Sequence, residues 1–231
     1  MHPPPDHPGT SSSRLRARPP HTAPERPPAA GRTALGLTAG RDGLLQVPAA
    51  AALRPCPLVV LLHGAGASSA DAMMLLADVT EAHGLVVLVP QSRASSWDLL
   101  RGGYGPDVDY IDRALEHVFA RCPIDPDRIV LAGFSDGASY ALSLGIANGD
   151  LFTHLIAFAP GFAAPETAVG QPRILVTHGT RDRVLPIDRC SRRLVPALRA
   201  DGYDVAYEEF DGGHTVPPQL VRRAIAWVME R

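Results

Sequence analysis

Short strand-like segments, several of them apolar on successive residues, recur along the chain. They cover residues 58–62, 85–89, 129–134, 155–159, 173–177 and 204–210. A strand that is apolar throughout is buried on both faces, as central strands of parallel sheets are. Before them, residues 33–37 and 41–47 flank a Thr-Ala-Gly turn and predict a hairpin of antiparallel edge strands.

Segments with helical periodicity alternate with these strands. Helices are predicted over residues 70–83, 106–121, 136–148, 188–201 and 217–230. In the second of them, Val108, Ile111 and Leu115 share one face. Residues 125–128 predict a turn into the strand at 129. Alternating strands and helices form a mostly parallel sheet covered on both faces, so we predict an α/β fold in one domain over residues 32–231.

The first 31 residues differ in composition from the rest of the chain. Proline, serine, arginine and alanine dominate residues 1–31, with hardly a large apolar side chain. Such a segment cannot bury enough apolar surface to offset the entropy lost on ordering, so we expect a disordered tail. Its arginines could attract an acidic partner, but a solvated tail or a misassigned start codon is favoured.

Charge and composition exclude several classes of function. The chain has 231 residues and a formal net charge of -2, which argues against a nucleic-acid or anionic-membrane surface. All 22 basic residues are arginine, which excludes a Schiff-base lysine, a phosphate-loop lysine and a Ser-Lys dyad. No window has the roughly 18 consecutive apolar residues of a membrane span. The N-terminus also lacks the apolar core of a secretory signal.

The cysteines indicate a reducing compartment. Cys56, Cys122 and Cys190 are odd in number and widely separated, which fits neither a disulfide framework nor a paired-cysteine zinc site. We therefore expect reduced thiols and a cytoplasmic location.

The strand at residues 129–134 leads into the motif Gly133-Phe134-Ser135-Asp136-Gly137. Helical spacing resumes directly after the motif, so the order is strand, sharp turn, helix. A serine at the apex of such a turn has a strained backbone that exposes its hydroxyl, and flanking glycines remove side chains that would collide there. Ser135 is therefore the candidate nucleophile.

Two residues downstream complete a catalytic set. Asp182 and His214 each follow a separate predicted strand, and the carboxyl ends of parallel strands meet at one edge of a sheet. Because a serine hydroxyl is a weak nucleophile, His214 would accept its proton, and Asp182 would hold the imidazole in the correct tautomer. Asp188 and Asp211 are the alternatives to Asp182. No metal is needed for this chemistry.

Two backbone N–H groups are candidates for an oxyanion hole, which binds the oxygen that becomes anionic in the reaction. One belongs to Asp136, at the start of a helix, and the other to Ala65, in the small-residue turn after residues 58–62. The side chain of Asp136 is expected to face solvent or to cap the helix, and its charge could repel anionic substrates.

Four further residues have a chemical and a structural interpretation. Trp97 and Tyr104 either line the substrate pocket or pack in the core, and the sequence favours neither. His63 and His178 each precede a glycine at a strand end, where a hydrogen-bonded structural role is favoured.

Four segments carry a resemblance to a known family, namely residues 61–64, 133–137, 178–186 and 213–214. With these motifs the chain resembles the α/β-hydrolase superfamily and, within it, the phospholipase/carboxylesterase group of small serine esterases, over residues 33–230. The resemblance implies hydrolysis of carboxylic esters or thioesters through an acyl-serine intermediate, without a cofactor. The family commonly has Gln after the nucleophile, where this chain has Asp136. That departure argues against lysophospholipid or acyl-protein substrates.

We therefore predict a serine carboxylesterase that acts on small-molecule esters with small or medium acyl groups. The longest segment that could cover the site is Gln91 to Gly105, which is too short for a cap domain. A thioesterase or acyltransferase with the same serine is the alternative among enzymes. A non-catalytic binding protein of the same fold is the alternative outside them, and the intact Ser, Asp and His set argues against it.

Overall fold

A computed structural model of the protein describes residues 12–20, 22, 24 and 29–230. The rest of the predicted tail lies outside the described residues. A single sheet of eight strands forms the centre of the described part.

This sheet is parallel except at one edge. Its strands are β1 (Gly31–Ala34), β2 (Leu44–Val47), β3 (Cys56–Leu62), β4 (Val86–Val89), β5 (Ile124–Phe134), β6 (His154–Phe158), β7 (Arg173–Gly179) and β8 (Val205–Phe210). Their order across the sheet is β1-β2-β4-β3-β5-β6-β7-β8, and β3 to β8 are parallel. β2 pairs antiparallel with both β1 and β4. The predicted edge hairpin and the mostly parallel sheet are confirmed.

Helices cover both faces of the sheet. They are α1 (Ser69–Leu75), α2 (Ala77–His83), α3 (Pro106–Phe119), α4 (Asp136–Ala147), α5 (Ser191–Ala200) and α6 (Pro218–Met229). Residues of α3, α4 and α5 pack with Leu58 and Val60 of β3 in one core. Residues of α1, α2 and α6 pack with Val59 and Leu61 in the other. Successive residues of β3 enter opposite cores, which is why the strand is apolar throughout. The predicted α/β fold is confirmed.

The single helix predicted over residues 70–83 is two helices, α1 and α2. The chain leaves helical geometry at Leu76, with φ −102° and ψ 2°. Leu76 is buried and packs with Met73 and Val79 in the same core. Because the apolar spacing continues across the break, the hydrophobic pattern does not reveal it.

Residues 125–128 belong to β5, although they were predicted to form a turn. Cys56 of β3 pairs with Ile124, and the register then shifts between Cys56 and Leu58. The turn-forming residues therefore occupy an irregular stretch of the strand, where Pro126 has no N–H to give to the ladder.

Residues 12–20, the N-terminal segment, pack against the folded chain, so the expectation of a disordered tail does not hold for them. Leu15 and Ala17 are buried, with 2% and 4% of their surface exposed. The side-chain oxygen of Asn148 accepts the Leu15 N–H at 2.8 Å, and its amide nitrogen donates to the Ser13 carbonyl at 2.7 Å.

Charged side chains hold the same segment. Arg14 and Arg18 pair with Asp150 at 2.8 and 2.6 Å. Asp112 accepts the N–H groups of residues 16 and 17, both at 2.8 Å. Asn148 and Asp112 are 133 and 96 residues away from the groups they bind. The composition of the N-terminal segment therefore gives no indication of them.

Candidate active site

Ser135, Asp182 and His214 come together at the carboxyl edge of the sheet. Ser135 directly follows β5, Asp182 lies in the loop after β7, and His214 lies in the loop after β8. Since these three strands are parallel, their carboxyl ends present all three side chains at one edge.

The backbone at Ser135 is strained, as the motif predicts. Its φ is 57° and its ψ is −120°, a conformation that residues with a side chain rarely adopt. Two hydrogen bonds hold it there. The Ser135 N–H donates to the Phe158 carbonyl at 2.9 Å, and the Ser135 carbonyl accepts from the Ser139 N–H at 3.1 Å.

The two glycines of the motif are required by close backbone approach. A Cβ at Gly133 would lie 2.2 Å from the carbonyl oxygen of Gly137. A Cβ at Gly137 would lie 2.3 Å from the carbonyl oxygen of Leu62 in β3. The start of α4 therefore packs directly on β3 and β5, which leaves no space for a side chain.

Two hydrogen bonds connect the three side chains. Ser135 Oγ lies 2.8 Å from His214 Nε2, and His214 Nδ1 lies 2.6 Å from Asp182 Oδ2. Because a carboxylate only accepts, Nδ1 carries the hydrogen and Nε2 of the neutral ring is the acceptor. The arrangement can therefore take a proton from the serine hydroxyl.

Asp182 is buried and fully hydrogen-bonded. Its Oδ1 accepts the backbone N–H groups of Val184 and Leu185, each at 2.8 Å. Burial acts to raise the pKa of Asp182, but the hydrogen bonds from His214 and from the two amides outweigh it, so the pKa lies below its usual value. Asp182 is therefore a carboxylate at neutral pH.

The alternative acids are engaged elsewhere. Asp188 pairs with Arg192 at 2.7 Å, and Asp211 pairs with Arg181 at 2.9 Å. Among the described residues, Asp182 is the carboxylate that forms a hydrogen bond with His214.

The two residues predicted as oxyanion donors belong to segments that adjoin Ser135. The turn after β3 passes close to Ser135, since a Cβ at Gly64 would be 3.5 Å from the Ser135 Cβ. Ala65 follows in this turn, and Gly66 fixes it through an N–H that donates to the Ser95 carbonyl at 2.7 Å. Asp136 is the first residue of α4, where backbone N–H groups have no partner within the helix.

His63 anchors this turn to the segment after β4, in keeping with the structural role favoured for it. Its Nε2 accepts the Ser92 N–H at 3.1 Å and lies 2.9 Å from the Gln91 amide nitrogen. Burial lowers the pKa of His63, so the ring is neutral at pH 7. No motif marks Gln91 or Ser92. Their signal in the sequence is two polar residues placed directly after an apolar strand.

Trp97 and Tyr104 both pack in the core. Trp97 has no exposed surface, stacks on Tyr140 at 5.2 Å and donates its Nε1–H to the His63 carbonyl at 2.8 Å. Tyr104 is 7% exposed, with its ring 6.0 Å from that of Tyr140. The pocket interpretation is therefore wrong for Trp97, and burial argues against it for Tyr104.

Two aspartates fix the segment from residue 91 to 105. Asp98 Oδ2 accepts the N–H groups of Gly105 and Asp107, both at 2.8 Å, and Oδ1 accepts the Tyr140 hydroxyl at 2.8 Å. Asp107 in turn accepts the N–H groups of Arg93 and Asp98 at 2.6 and 2.7 Å. Burial raises the pKa of Asp107 to about 6. No pattern in the sequence marks this pair.

The side chain of Asp136 neither points only to solvent nor caps its helix. It is half-buried, and its Oδ2 accepts the Ser96 hydroxyl at 2.6 Å. No arginine of the described residues forms an ion pair with it.

Within the described part of the chain, no cluster of three or more His, Cys, Asp or Glu residues is placed to hold a metal ion. None of the helices described is both long and apolar enough to cross a bilayer. Cys56, Cys122 and Cys190 are buried and free. The cytoplasmic location stays a prediction.

Comparison with known proteins finds a matching family and several relatives. A family model described as Phospholipase/Carboxylesterase matches residues 108–229, more than half of the chain. A putative esterase, NocK of Nocardia uniformis, is 27% identical over 58% of this chain and 42% of its own length. Acyl-protein thioesterase 1 of Gibberella zeae is 32% identical over 47% of this chain and 50% of its own length.

The chain thus spans about half the length of the curated relatives it matches. Among solved structures, esterase PE8 is 25% identical with a TM-score of 0.65, over 80% of this chain and 96% of that chain. By the family match and the shared fold, the chain belongs to the phospholipase/carboxylesterase family of α/β-hydrolases.

Proposed function

We propose that the protein is a serine carboxylesterase with residues 32–231 as its catalytic domain. Ser135 is the nucleophile, His214 the base and Asp182 the orienting acid. The observation that carries the proposal is the unbroken pair of hydrogen bonds, 2.8 Å from Ser135 to His214 and 2.6 Å from His214 to Asp182.

Acylation begins with attack of Ser135 Oγ on the ester carbonyl carbon, while His214 Nε2 takes the hydroxyl proton. The negative charge of Asp182 stabilises the imidazolium that forms. The carbonyl oxygen becomes anionic and accepts hydrogen bonds from the N–H groups of Ala65 and Asp136. The bond between the carbonyl carbon and the alcohol oxygen of the ester then breaks, and His214 gives its proton to that oxygen. The alcohol leaves, and Ser135 is left esterified.

Deacylation repeats these steps with water as the nucleophile. His214 takes a proton from water, the hydroxide adds to the acyl-serine carbonyl, and the carboxylic acid leaves as the proton returns to Ser135. Apart from the ester and water, the proposed cycle uses only groups of the chain, and it contains no redox step.

The segment from residue 91 to 105 bears on substrate size. It is hydrogen-bonded through Asp98 and Asp107, packs Trp97 into the core and contacts Asp136 through Ser96, so we expect it to border the site without forming a separate cap domain. Small and medium acyl esters with an accessible carbonyl fit this arrangement best.

A thioesterase activity at the same serine is the second candidate. It is favoured by the 32% identity to a protein named acyl-protein thioesterase 1. Thioester and oxygen ester differ in the leaving group, and parallel kcat/KM measurements on an S-acyl and an O-acyl substrate of equal chain length separate the two.

The test of the nucleophile is labelling by a fluorophosphonate, located by mass spectrometry, together with p-nitrophenyl butyrate turnover. We expect one label, on Ser135, and loss of both label and turnover in Ser135→Ala. Ser143→Ala is the matched control, because Ser143 is a buried serine of the same helix whose hydroxyl bonds to the Ser139 carbonyl. Wild-type turnover in Ser135→Ala would refute the proposal, as would a label on another serine.

A further inference from the structure

A second buried histidine contacts the orienting acid. His178 lies in β7 with its side chain fully buried, and its Nε2 is 3.3 Å from Asp182 Oδ2. That oxygen is the one that His214 contacts. The Nε2 of His178 is also 2.8 Å from the Leu185 carbonyl oxygen.

The protonation state of His178 follows from its neighbours. A carbonyl and a carboxylate only accept, so Nε2 must carry a hydrogen. Burial lowers the pKa of His178, so the ring is neutral and Nδ1 is bare. Nδ1 therefore accepts the hydroxyl hydrogen of Ser191 at 2.6 Å, and Ser191 is itself fully buried. The Leu185 carbonyl thus selects the tautomer with a hydrogen on Nε2, and the Ser191 hydroxyl satisfies the bare Nδ1.

The Nε2–H of His178 lies between the Leu185 carbonyl and the Asp182 carboxylate, both of which belong to the loop that follows β7. Asp182 Oδ1 is held by the amides of Val184 and Leu185, which belong to the same short loop. The N–H of His178 holds that loop through the Leu185 carbonyl and approaches the other carboxylate oxygen, Oδ2. From β7, His178 therefore holds the loop through Leu185 and lies against Oδ2, while amides of that loop hold Oδ1.

We propose that His178 is a positioning residue, whose Nε2–H holds the loop at Leu185 and lies against Asp182 Oδ2, and so keeps the Asp182 carboxylate in the orientation that meets His214. This inference rests on the proposed function, because the orientation of Asp182 affects the rate only if Asp182 and His214 serve Ser135. His178 itself touches neither substrate nor the reacting atoms.

The test compares two substitutions of similar size at one position. In His178→Gln the side-chain nitrogen falls near the position of Nε2 and can still donate. In His178→Asn it falls near Nδ1 and cannot reach Asp182. We expect His178→Asn to lower kcat for p-nitrophenyl butyrate by about 10- to 100-fold with little change in KM, since small misplacements of catalytic groups cost this much. His178→Gln should stay within about threefold of wild type.

A packing role predicts a different result. Both variants would then lose activity only in proportion to their loss of folded protein, measured by thermal unfolding and by titration of active sites with a fluorophosphonate. Equal kcat per titrated site in Asn, Gln and wild-type proteins would overturn the inference.

Nuclear magnetic resonance of ¹⁵N-histidine-labelled wild-type protein supplies a measurement that needs no variant. We expect His178 to be neutral at neutral pH with its proton on Nε2, because burial lowers the pKa of its ring. A protonated ring, or a proton on Nδ1, would overturn the inference even if His178→Asn fails to fold.

Failure of this inference is distinct from failure of the proposed function. Asp182→Asn tests the latter directly, and it should lose kcat whatever the role of His178. If Asp182→Asn keeps the wild-type rate, the proposed function fails. If Asp182→Asn is impaired while both variants at position 178 keep kcat, only the positioning role fails.

Discussion

At the scale of single residues, the conformation of the nucleophile depends on two neighbouring glycines that lack a side chain, Gly133 and Gly137. The conformation of Ser135, with φ 57°, costs on the order of 1 to 3 kcal/mol. The chain maintains it because Gly133 and Gly137 allow β5, α4 and β3 to meet without side chains between them. The strain aims the hydroxyl at His214, and stability elsewhere in the fold offsets it.

Asp136 is the residue next to the nucleophile where the chain departs from its family, and its charge carries a prediction on selectivity. Its half-buried carboxylate is bonded to the Ser96 hydroxyl and has no arginine partner among the described residues. Two like charges roughly 8 Å apart repel by about 0.5 kcal/mol in water and about 2 kcal/mol at a dielectric constant of 20. We therefore expect Asp136→Asn, which keeps an acceptor for Ser96, to favour anionic esters several-fold.

The measurement is the ratio of kcat/KM for mono-p-nitrophenyl glutarate, which ends in a carboxylate, to that for p-nitrophenyl valerate, which is neutral. Added salt should reduce the difference between variant and wild type. Asp78→Asn, in the exposed first turn of α2, is the matched control and should leave the ratio unchanged. An unchanged ratio in Asp136→Asn would show that this carboxylate does not influence substrate charge.

At the scale of elements, the sequence predicts the functional residues at the strand ends but not the hydrogen bonds that hold the neighbouring loops. The sequence predicts Ser135, Asp182 and His214 because each follows an apolar run at the edge where parallel strands end. It does not predict Asp98 or Asp107. Their partners are backbone N–H groups in an irregular segment, and no periodicity encodes them. Chemistry tied to strand ends is thus visible in the sequence, and the loop architecture around it is not.

The contact of α4 with β3 leads to a prediction on stability. In Gly137→Ala the added Cβ would lie 2.3 Å from the Leu62 carbonyl oxygen and 2.5 Å from that of His63. Both atoms are backbone, so α4 must move away from β3. We expect a loss of about 1 to 3 kcal/mol in the free energy of unfolding, the usual cost of overpacking, and a larger fractional loss of kcat because Ser135 moves with the helix.

Urea unfolding and p-nitrophenyl butyrate turnover measure the two effects. Gly40→Ala is the control, since a Cβ there meets nothing within 4 Å and Gly40 does not have a positive φ. If Gly137→Ala matched Gly40→Ala in both measurements, the close packing of α4 on β3 would be incorrect.

At the scale of the whole molecule, strands that are apolar on both faces predict helices on both sides of the sheet, and the structure confirms this. Val59 and Val60 enter opposite cores, as an all-apolar strand requires. The prediction fails for the N-terminal segment because its composition gives no sign of the partners that order it. Leu15 is buried in the core that also contains residues of α3 and α4, and its N–H is bonded to Asn148. Local composition cannot report a contact that the rest of the chain supplies.

This segment leads to a prediction that separates stability from activity. Leu15 is 2% exposed, whereas Leu53 is 88% exposed. We expect Leu15→Ala to lower the free energy of unfolding by about 2 kcal/mol, near the lower end for buried leucines because the segment lies at the periphery. Leu53→Ala should change it by less than about 0.5 kcal/mol.

We expect Leu15→Ala to keep the wild-type kcat/KM of the folded protein although its free energy of unfolding is lower. The N-terminal segment bonds to Asn148, just past the end of α4, while Ser135 precedes its first residue. A helix of 12 residues is about 18 Å long, so the two ends are well separated. Urea midpoints and kcat/KM for the two variants at equal folded concentration decide the matter. Equal midpoints for Leu15→Ala and Leu53→Ala would mean that the segment does not contribute to the core, and a fall in kcat/KM for Leu15→Ala would mean that it supports the site.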